Sequence, residues 1–378
     1  MIYLITFILS LVFLNYAIKL KYANKKVLYV FFLTIGIVIP CFIAGCRGLE
    51  NGYDVKVYVS PIFKYAIENN IKSFFVASFK LGVKDIFYVG LTYIVVNLFK
   101  NFSLYLFILE LLVILPMYKT LINTYKKKSS VLFGMLIVYL IMYNQTFNMV
   151  RQSIAMAFGI LGFSYFLANN NKKGWLNIII SIFFHNTAII FIVIVFLYKI
   201  FVSEKVNNRT KQTLSIFLII ICIVVFFEIE TIIKSFVQLK LMDGSVLSYI
   251  TIRKREKIDF SYINTIFYAL PILLSMLRKK QDTKNNFNRF ITTVNICGLI
   301  LLQLGAVYTF LDRISYYLLY FPIIFVLPNY SIDFKRKFTM NYLLINCFSL
   351  IGLLSYWYFW NVLVNYNDAF PYIFRGWS

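Results

Sequence analysis

Residues 176–198 read LNIIISIFFHNTAIIFIVIVFLY. At ~1.5 Å of rise per residue, this run is long enough to cross a ~30 Å hydrocarbon core. The difficulty lies in its middle. His185, the only histidine in the chain, sits beside Asn186 and Thr187, ten residues after Trp175. That is ~15 Å deep, near the bilayer midplane. Both flanks are basic, with Lys172 and Lys173 before the run and Lys199 and Lys205 after it. Basic clusters collect on the cytoplasmic side, and a full crossing here would force Arg278–Lys280 outside. A helix that enters from the cytoplasm, breaks at His185 and turns back satisfies every cluster. Irregular backbone at that depth is tolerated where it lines a polar cavity or is buried in protein. The competing reading is one long helix with a single misplaced basic loop.

The same apolar pattern recurs along all 378 residues, of which 61% are hydrophobic and 14% charged. Mean hydropathy is +0.76. This excludes a soluble domain and reads as an all-α polytopic membrane protein. Strong spans fall at Ile2–Leu20, Val27–Gly45, Phe102–Ile122, Val131–Thr146, Val150–Leu167, Leu214–Phe227, Tyr262–Leu277, Phe290–Phe310, Ile314–Leu327 and Met340–Trp360. Ile86–Phe99 reaches only ~21 Å, and a full crossing there would put Lys126–Lys128 outside. The expectation is about ten transmembrane helices plus two re-entrant or broken helices, in one integral membrane domain. With the N-terminus outside, extracytoplasmic loops cover 46–85 and 229–261. Arg47, Asp54, Arg151, Arg253–Lys257, Asp312, Arg313 and Asn365–Ser378 then share the outer side. Ile2–Leu20 lacks a basic start and a small-residue cleavage site, so it reads as a retained span. The net charge of +23 does not indicate nucleic acid, because most Lys and Arg flank apolar runs and set topology. Cys41, Cys46, Cys222, Cys297 and Cys347 are scattered, which gives neither a disulfide framework nor a metal site.

Against that background the few polar residues stand out. An ionisable group in an apolar span costs on the order of 2.5–3.5 kcal/mol on insertion scales, so by default it marks a working site. Asn148, Arg151, Gln152 and Ala155 recur at i, i+3, i+4 and i+7, one helical face running inward from the outer boundary. A guanidinium fork suits phosphate oxygens, and bidentate bonds to a lipid pyrophosphate would justify its burial. An arginine there also suits capping carbonyls or snorkelling outward. His185 is a general base, a donor to a leaving phosphate, or a plain polar link between helices. It has no partners at metal-ligand spacing.

After the second span comes Cys46-Arg47-Gly48-Leu49-Glu50-Asn51-Gly52-Tyr53-Asp54, then Tyr58. The glycines suit tight turns. Arg47 and Asp54 either pair with each other or offer a phosphate contact and a sugar-hydroxyl contact or base. The single Asp does not make a D-x-D site, so a nucleotide-sugar donor is not indicated. Arg313, Tyr316, Tyr317 and Tyr320 share a face. Tyrosines so placed are ordinarily an interfacial belt, and Arg313 adds to an anion-binding pocket. Arg253–Lys257 departs from the positive-inside trend: either the topology differs there, or the loop attracts an anionic headgroup or glycan. Glu110 lies mid-span, as a protonated structural acid or a proton carrier.

Three blocks carry a resemblance: Arg47 with Gly52-Tyr53-Asp54-Val55-Lys56-Val57-Tyr58, then Phe147 to Ala155, then Phe184 to Ala188. The C-terminal stretch Asn365–Phe374 adds a weaker fourth. In order and spacing the chain resembles the EpsG-like family of bacterial polysaccharide polymerases, related in style to Wzy-type O-antigen polymerases. That family often has Gly-Thr-Asp where this chain has Gly52-Tyr53-Asp54. It also has an acidic residue opening the third segment, for which only Asp85 is available. The resemblance implies a metal-independent glycosyltransferase in the bacterial cytoplasmic membrane, with its active site on the outer face and no cofactor. The donor would be a growing glycan on undecaprenyl pyrophosphate. The acceptor would be a hydroxyl of a lipid-linked repeat unit, in O-antigen, capsule or exopolysaccharide synthesis. Arg47 and Arg151 would hold pyrophosphate, with Asn148, Gln152 and Tyr58 beside them and Arg313 as a further contact. His185 or Asp54 would take the acceptor proton. Partners would be membrane lipid, a chain-length regulator and a flippase, and no nucleic acid.

Rival classes remain open at this stage. A lipid-linked oligosaccharide flippase also uses buried arginine and broken helices, although no duplicated halves are visible. An O-antigen ligase shares the donor but usually carries a larger outer loop. A membrane acyltransferase would need an acyl carrier.

Overall fold

The computed structural model describes residues 1–239, 262–276, 282–308, 311–330 and 340–375. Among them the chain is helical and without strands, apart from one isolated bridge between Arg47 and Phe374. It packs as two compact units, Met1–Ile189 with Pro328–Ser378, and Ile190–Leu327. The first unit holds α1 (Ile2–Tyr22), α2 (Lys26–Gly45), α3 (Ser60–Glu68), α4 (Ile71–Lys80), α5 (Ile86–Phe99), α6 (Phe102–Thr124), α7 (Lys128–Ile137), α8 (Val150–Leu167) and α9 (Asn171–Phe184). The second holds α10 (Ile190–Val202), α11 (Asn208–Gln238), α12 (Tyr262–Met276), α13 (Asp282–Leu302) and α14 (Arg313–Val326). α15 (Met340–Tyr358) belongs to the first.

Seven helices among the described residues are long and apolar enough to cross a membrane, so the chain is a multi-pass helical membrane protein. The other three expected spans correspond to α12, α14 and α15, of which α12 and α14 have only 15 and 14 residues. α5 has the boundaries read from the sequence and 14 residues, too few for a straight crossing. The long apolar run 176–198 is broken as expected. α9 stops at Phe184, His185 is extended (φ −163°, ψ 121°), and a 3₁₀ turn Asn186–Ile189 precedes α10.

Asparagine supplies much of the local punctuation. Asn70, Asn101, Asn170 and Asn207 each cap a helix N-terminus by accepting the N–H three residues on, at 2.7–3.2 Å. Each such cap contributes about 1 kcal/mol. α1, α4 and α8 end in paired reverse bonds. In α8, Asn170 N–H donates to Tyr165 O (2.8 Å) and Asn169 N–H to Phe166 O (3.0 Å), with Asn169 at φ +57°. This left-handed exit folds α9 straight back onto α8. The two helices approach closely, since a Cβ on Gly162 would sit 3.0 Å from Gly174 O. Small residues permit such packing where no hydrophobic gain drives helices together.

The core of the first unit is the stretch Lys128–Phe147, whose span is 83% buried. It begins as α7, widens into a π-helix at Val138–Tyr143 and tightens into a 3₁₀ turn at Asn144–Phe147. Such changes of helix type redirect side chains near functional sites. Here they turn Tyr143 to donate to Pro40 O (2.7 Å) and Thr146 to donate to Glu110 Oε2 (2.6 Å). Glu110 is 2% exposed and takes a structural bond.

Within the expected connection 46–85 the chain is largely helical, with a π-turn Val55–Val59 followed by α3 and α4. The segment from 229 is helical to Gln238, because α11 continues past a kink at Glu228; Arg253–Lys257 lies outside the described residues. Tyr316, Tyr317 and Tyr320 form no exposed belt. All three are buried, and Tyr316 stacks on Tyr320 at 5.4 Å.

Gly52 is the tightest point of the 46–54 turn. Its φ is +106°, and a Cβ there would stand 2.6 Å from Phe147 O. Gly52→Ala is expected to cost about 2–4 kcal/mol through strain plus overpacking. It should lower the melting temperature of the purified protein, and an unchanged melting curve would contradict this packing.

Candidate functional site

The ends of three helices meet in the first unit. Asp85 opens α5, Arg151 is the second residue of α8, and His185 follows the last residue of α9. Aromatic packing brings them together. Phe87 stacks on Phe183 at 4.8 Å, and Phe184 stacks on Phe158 of α8 at 5.8 Å. Ser181 Oγ then donates to Ala155 O at 2.6 Å, which fixes the last turn of α9 against the first turns of α8.

The result is a three-residue cluster. Arg151 Nη1 donates to Asp85 Oδ2 at 2.6 Å, and His185 Nδ1 faces the same oxygen at 3.4 Å. The Asp85 side chain is 5% exposed, whereas Arg151 and His185 are 18% and 26% exposed. The carboxylate is therefore the floor, and the cation and the imidazole are the open side. In the tautomer whose Nδ1–H donates to Asp85, Nε2 is the proton acceptor. The Arg151 guanidinium lies 4.7 Å over the Tyr58 ring, a cation–π contact that keeps its plane fixed while leaving N–H donors for an anion.

Asp54 lies beneath this layer. Its Oδ2 accepts from Tyr58 OH (2.8 Å) and from Val150 N–H (3.2 Å). It thus caps α8 from another segment and offsets the positive end of that helix. Behind Tyr58, Tyr105 OH donates to Tyr88 OH (2.9 Å) and contacts Thr92 Oγ1 (2.7 Å), all buried.

Other expected residues are placed differently. Asn148 does not share the helical face of Arg151, because α8 begins only at Val150 and Met149 is non-helical. Its side chain instead accepts from Tyr53 N–H and donates to Tyr366 O. Gln152 is 6% exposed, turned into the unit rather than to its open side. Arg47 does not pair with Asp54. It is 1% exposed, donates to Ala44 O (2.8 Å) and lies 4.1 Å over the Phe147 ring. The C-terminal residues strap over it. Gly48 N–H donates to Ile373 O (2.7 Å), Arg375 N–H to Cys46 O (2.8 Å), and Asn51 bonds Pro371 O and Ile373 N–H. In this arrangement Arg47 is not presented to a ligand. Arg313 belongs to the second unit, half-buried at the start of α14 beside Asp312, whose Oδ2 accepts from Tyr316 OH (3.0 Å).

Asp85 is the acid available to open the third segment, but the sequence alone assigns it no role in the site. The usable signal was a carboxylate opening a helix that is apolar throughout. Burial pushes its carboxyl up, but the His185 hydrogen bond and the Arg151 charge outweigh this and hold it below the ordinary value. Its stabilising effect is therefore complete above the unfolded carboxylate value near ~3.9 and is lost as pH falls through the lower folded value. Asp85→Asn is expected to flatten the acid limb of melting temperature against pH. Superimposable acid limbs for the two proteins would contradict it.

A family model described as the EpsG family matches residues 29–374, and this is a family of polysaccharide polymerase-like membrane proteins. No curated protein and no solved structure gives a significant match.

Proposed function

The chain belongs to the EpsG family, and from that premise we propose that it polymerises lipid-linked oligosaccharide repeat units. The growing glycan leaves undecaprenyl pyrophosphate and is transferred to a hydroxyl of the next lipid-linked unit, on the outer face of the bacterial cytoplasmic membrane. One observation carries this reading. A partly open arginine and a partly open histidine share a single buried carboxylate, Asp85.

Arg151 meets the pyrophosphate with the donors that Asp85 does not use and stabilises the charge that develops as the glycosyl bond breaks. His185 Nε2 takes the acceptor proton, and Asp85 on Nδ1 orients the ring. The new bond runs from the acceptor oxygen to the anomeric carbon, and the electron pair of the broken bond leaves on the pyrophosphate. Asp54, 7% exposed beneath the cluster, is assigned to capping α8 and holding Tyr58 rather than to proton transfer. Arg47 is assigned a structural role beneath the C-terminal strap, bonding Ala44 O and lying over the Phe147 ring.

In cells, deletion of the gene is expected to abolish long surface glycan and to leave single repeat units on undecaprenyl pyrophosphate. Surface glycan of unchanged length would refute the assignment. Full-length glycan that accumulates unattached to its final acceptor would indicate a ligase.

A further inference from the structure

The helices between α2 and α5 present a surface that the catalytic reading does not use. The inner face of α4 carries Phe74 and Ser78, both fully buried, with Phe74 against Tyr93 at 5.4 Å. Its other face places Lys72, Ser73, Val76 and Lys80 along one helical stripe. With Tyr65 of α3 they line an open groove of about 610 Å³. Lys72 and Lys80 are ~12 Å apart along the helix axis, a span that brackets a small polar headgroup.

Charge and apolar exposure both select the occupant. Segment 46–85 carries Arg47, Lys56, Lys64, Lys72, Lys80 and Lys84 against Glu50, Asp54, Glu68 and Asp85. Arg47, Asp54 and Asp85 are buried, and Lys56 pairs with Glu50 at 3.4 Å. That leaves Lys64, Lys72, Lys80 and Lys84 against Glu68 on the surface. Interleaved with them are Ile67, Ile71, Val76 and Phe79, 43–55% exposed. Short helices that combine lysines with bare apolar side chains suit the membrane interface, where the apolar groups enter the acyl boundary and the ammonium groups reach phosphates. A soluble anion would leave the apolar side chains uncovered, and a neutral lipid would leave the lysines unmatched.

We propose that the α3–α4 groove binds the phosphodiester headgroup of an anionic membrane lipid. Lys72 and Lys80 contact the phosphate, and Tyr65 and Val76 lie against the glycerol and upper acyl carbons. The test uses the full-length protein in neutral detergent, titrated with phosphatidylglycerol or phosphatidylcholine and read by native mass spectrometry and melting temperature. Phosphatidylglycerol is expected to be retained and to raise the melting temperature, and phosphatidylcholine is not. Each lysine near an anionic surface contributes about fivefold, so Lys72→Gln with Lys80→Gln should weaken retention roughly thirtyfold. The double arginine variant should keep it, as should Lys25→Gln with Lys26→Gln at the α1–α2 turn. Equal retention of the two lipids overturns the proposal, as does undiminished phosphatidylglycerol binding by the glutamine variant. Displacement of the lipid by inorganic phosphate or an acidic oligosaccharide would assign the groove to a soluble anion instead. No glycan substrate is present in this measurement, so its outcome is separate from that of the polymerase reading.

Discussion

Replacing Arg151 with alanine is expected to lower polymer synthesis by about 10²–10³-fold, the usual effect of removing one donor to a developing oxyanion. The residue is suited to that loss because it is held on two sides. Asp85 fixes one nitrogen at 2.6 Å, and the Tyr58 ring lies beneath the guanidinium at 4.7 Å. The side chain needs little reorganisation to meet a phosphate. Part of the loss would come through stability, since Asp85 is buried and would lose its nearest cation. Arg151→Lys separates the two effects. A lysine restores the charge opposite Asp85 and with it much of the melting temperature. It has no planar fork, so activity should stay at least about tenfold low. Wild-type yield from the alanine variant at normal protein levels would remove Arg151 from the site.

His185→Ala should cost on the order of 10²–10⁴-fold, the range for loss of a positioned general base. The informative companion is Asp54→Asn. An amide oxygen can still accept from Val150 N–H and Tyr58 OH, the contacts that Asp54 makes, so activity should stay within about tenfold of wild type. His185→Gln keeps a polar side chain at the helix break but no proton acceptor of comparable basicity, and it should resemble alanine. Rates measured on purified protein with defined acceptor would decide the matter. Loss in Asp54→Asn with retention in His185→Ala would exchange the two assignments.

The sequence discloses those parts of this fold that local chemistry decides. α5 and α8 have the boundaries expected from their apolar runs. The break at His185 follows from a polar step between two basic ends and is present. What was not legible depends on partners distant in the chain. Asp85 lies 66 residues from Arg151 and 100 from His185, and no spacing rule links them. Asn148 matches the Arg151 face by counting, but the π and 3₁₀ turns before α8 break that register. Arg47 reads as an exposed phosphate ligand because nothing local shows that residues 373–375 close over it. The tyrosines of α14 read as an interfacial belt for the same reason; they are buried against distant rings, Tyr316 and Tyr320 against Tyr268 of α12 and Tyr317 against Phe191 of α10. The helices within 46–85 were missed because each is short, of 9 and 10 residues for α3 and α4, and mixes lysine with apolar residues.

The central claim is that this chain alone extends lipid-linked glycan through Arg151 and His185. Its most direct test is the purified protein reconstituted with defined undecaprenyl-pyrophosphate-linked repeat units, without nucleotide sugar, followed by separation of the products by length. The expected result is a ladder of multiples of the repeat unit, absent from Arg151→Ala and His185→Ala. Units that cross the bilayer but remain single would contradict the claim and indicate a flippase.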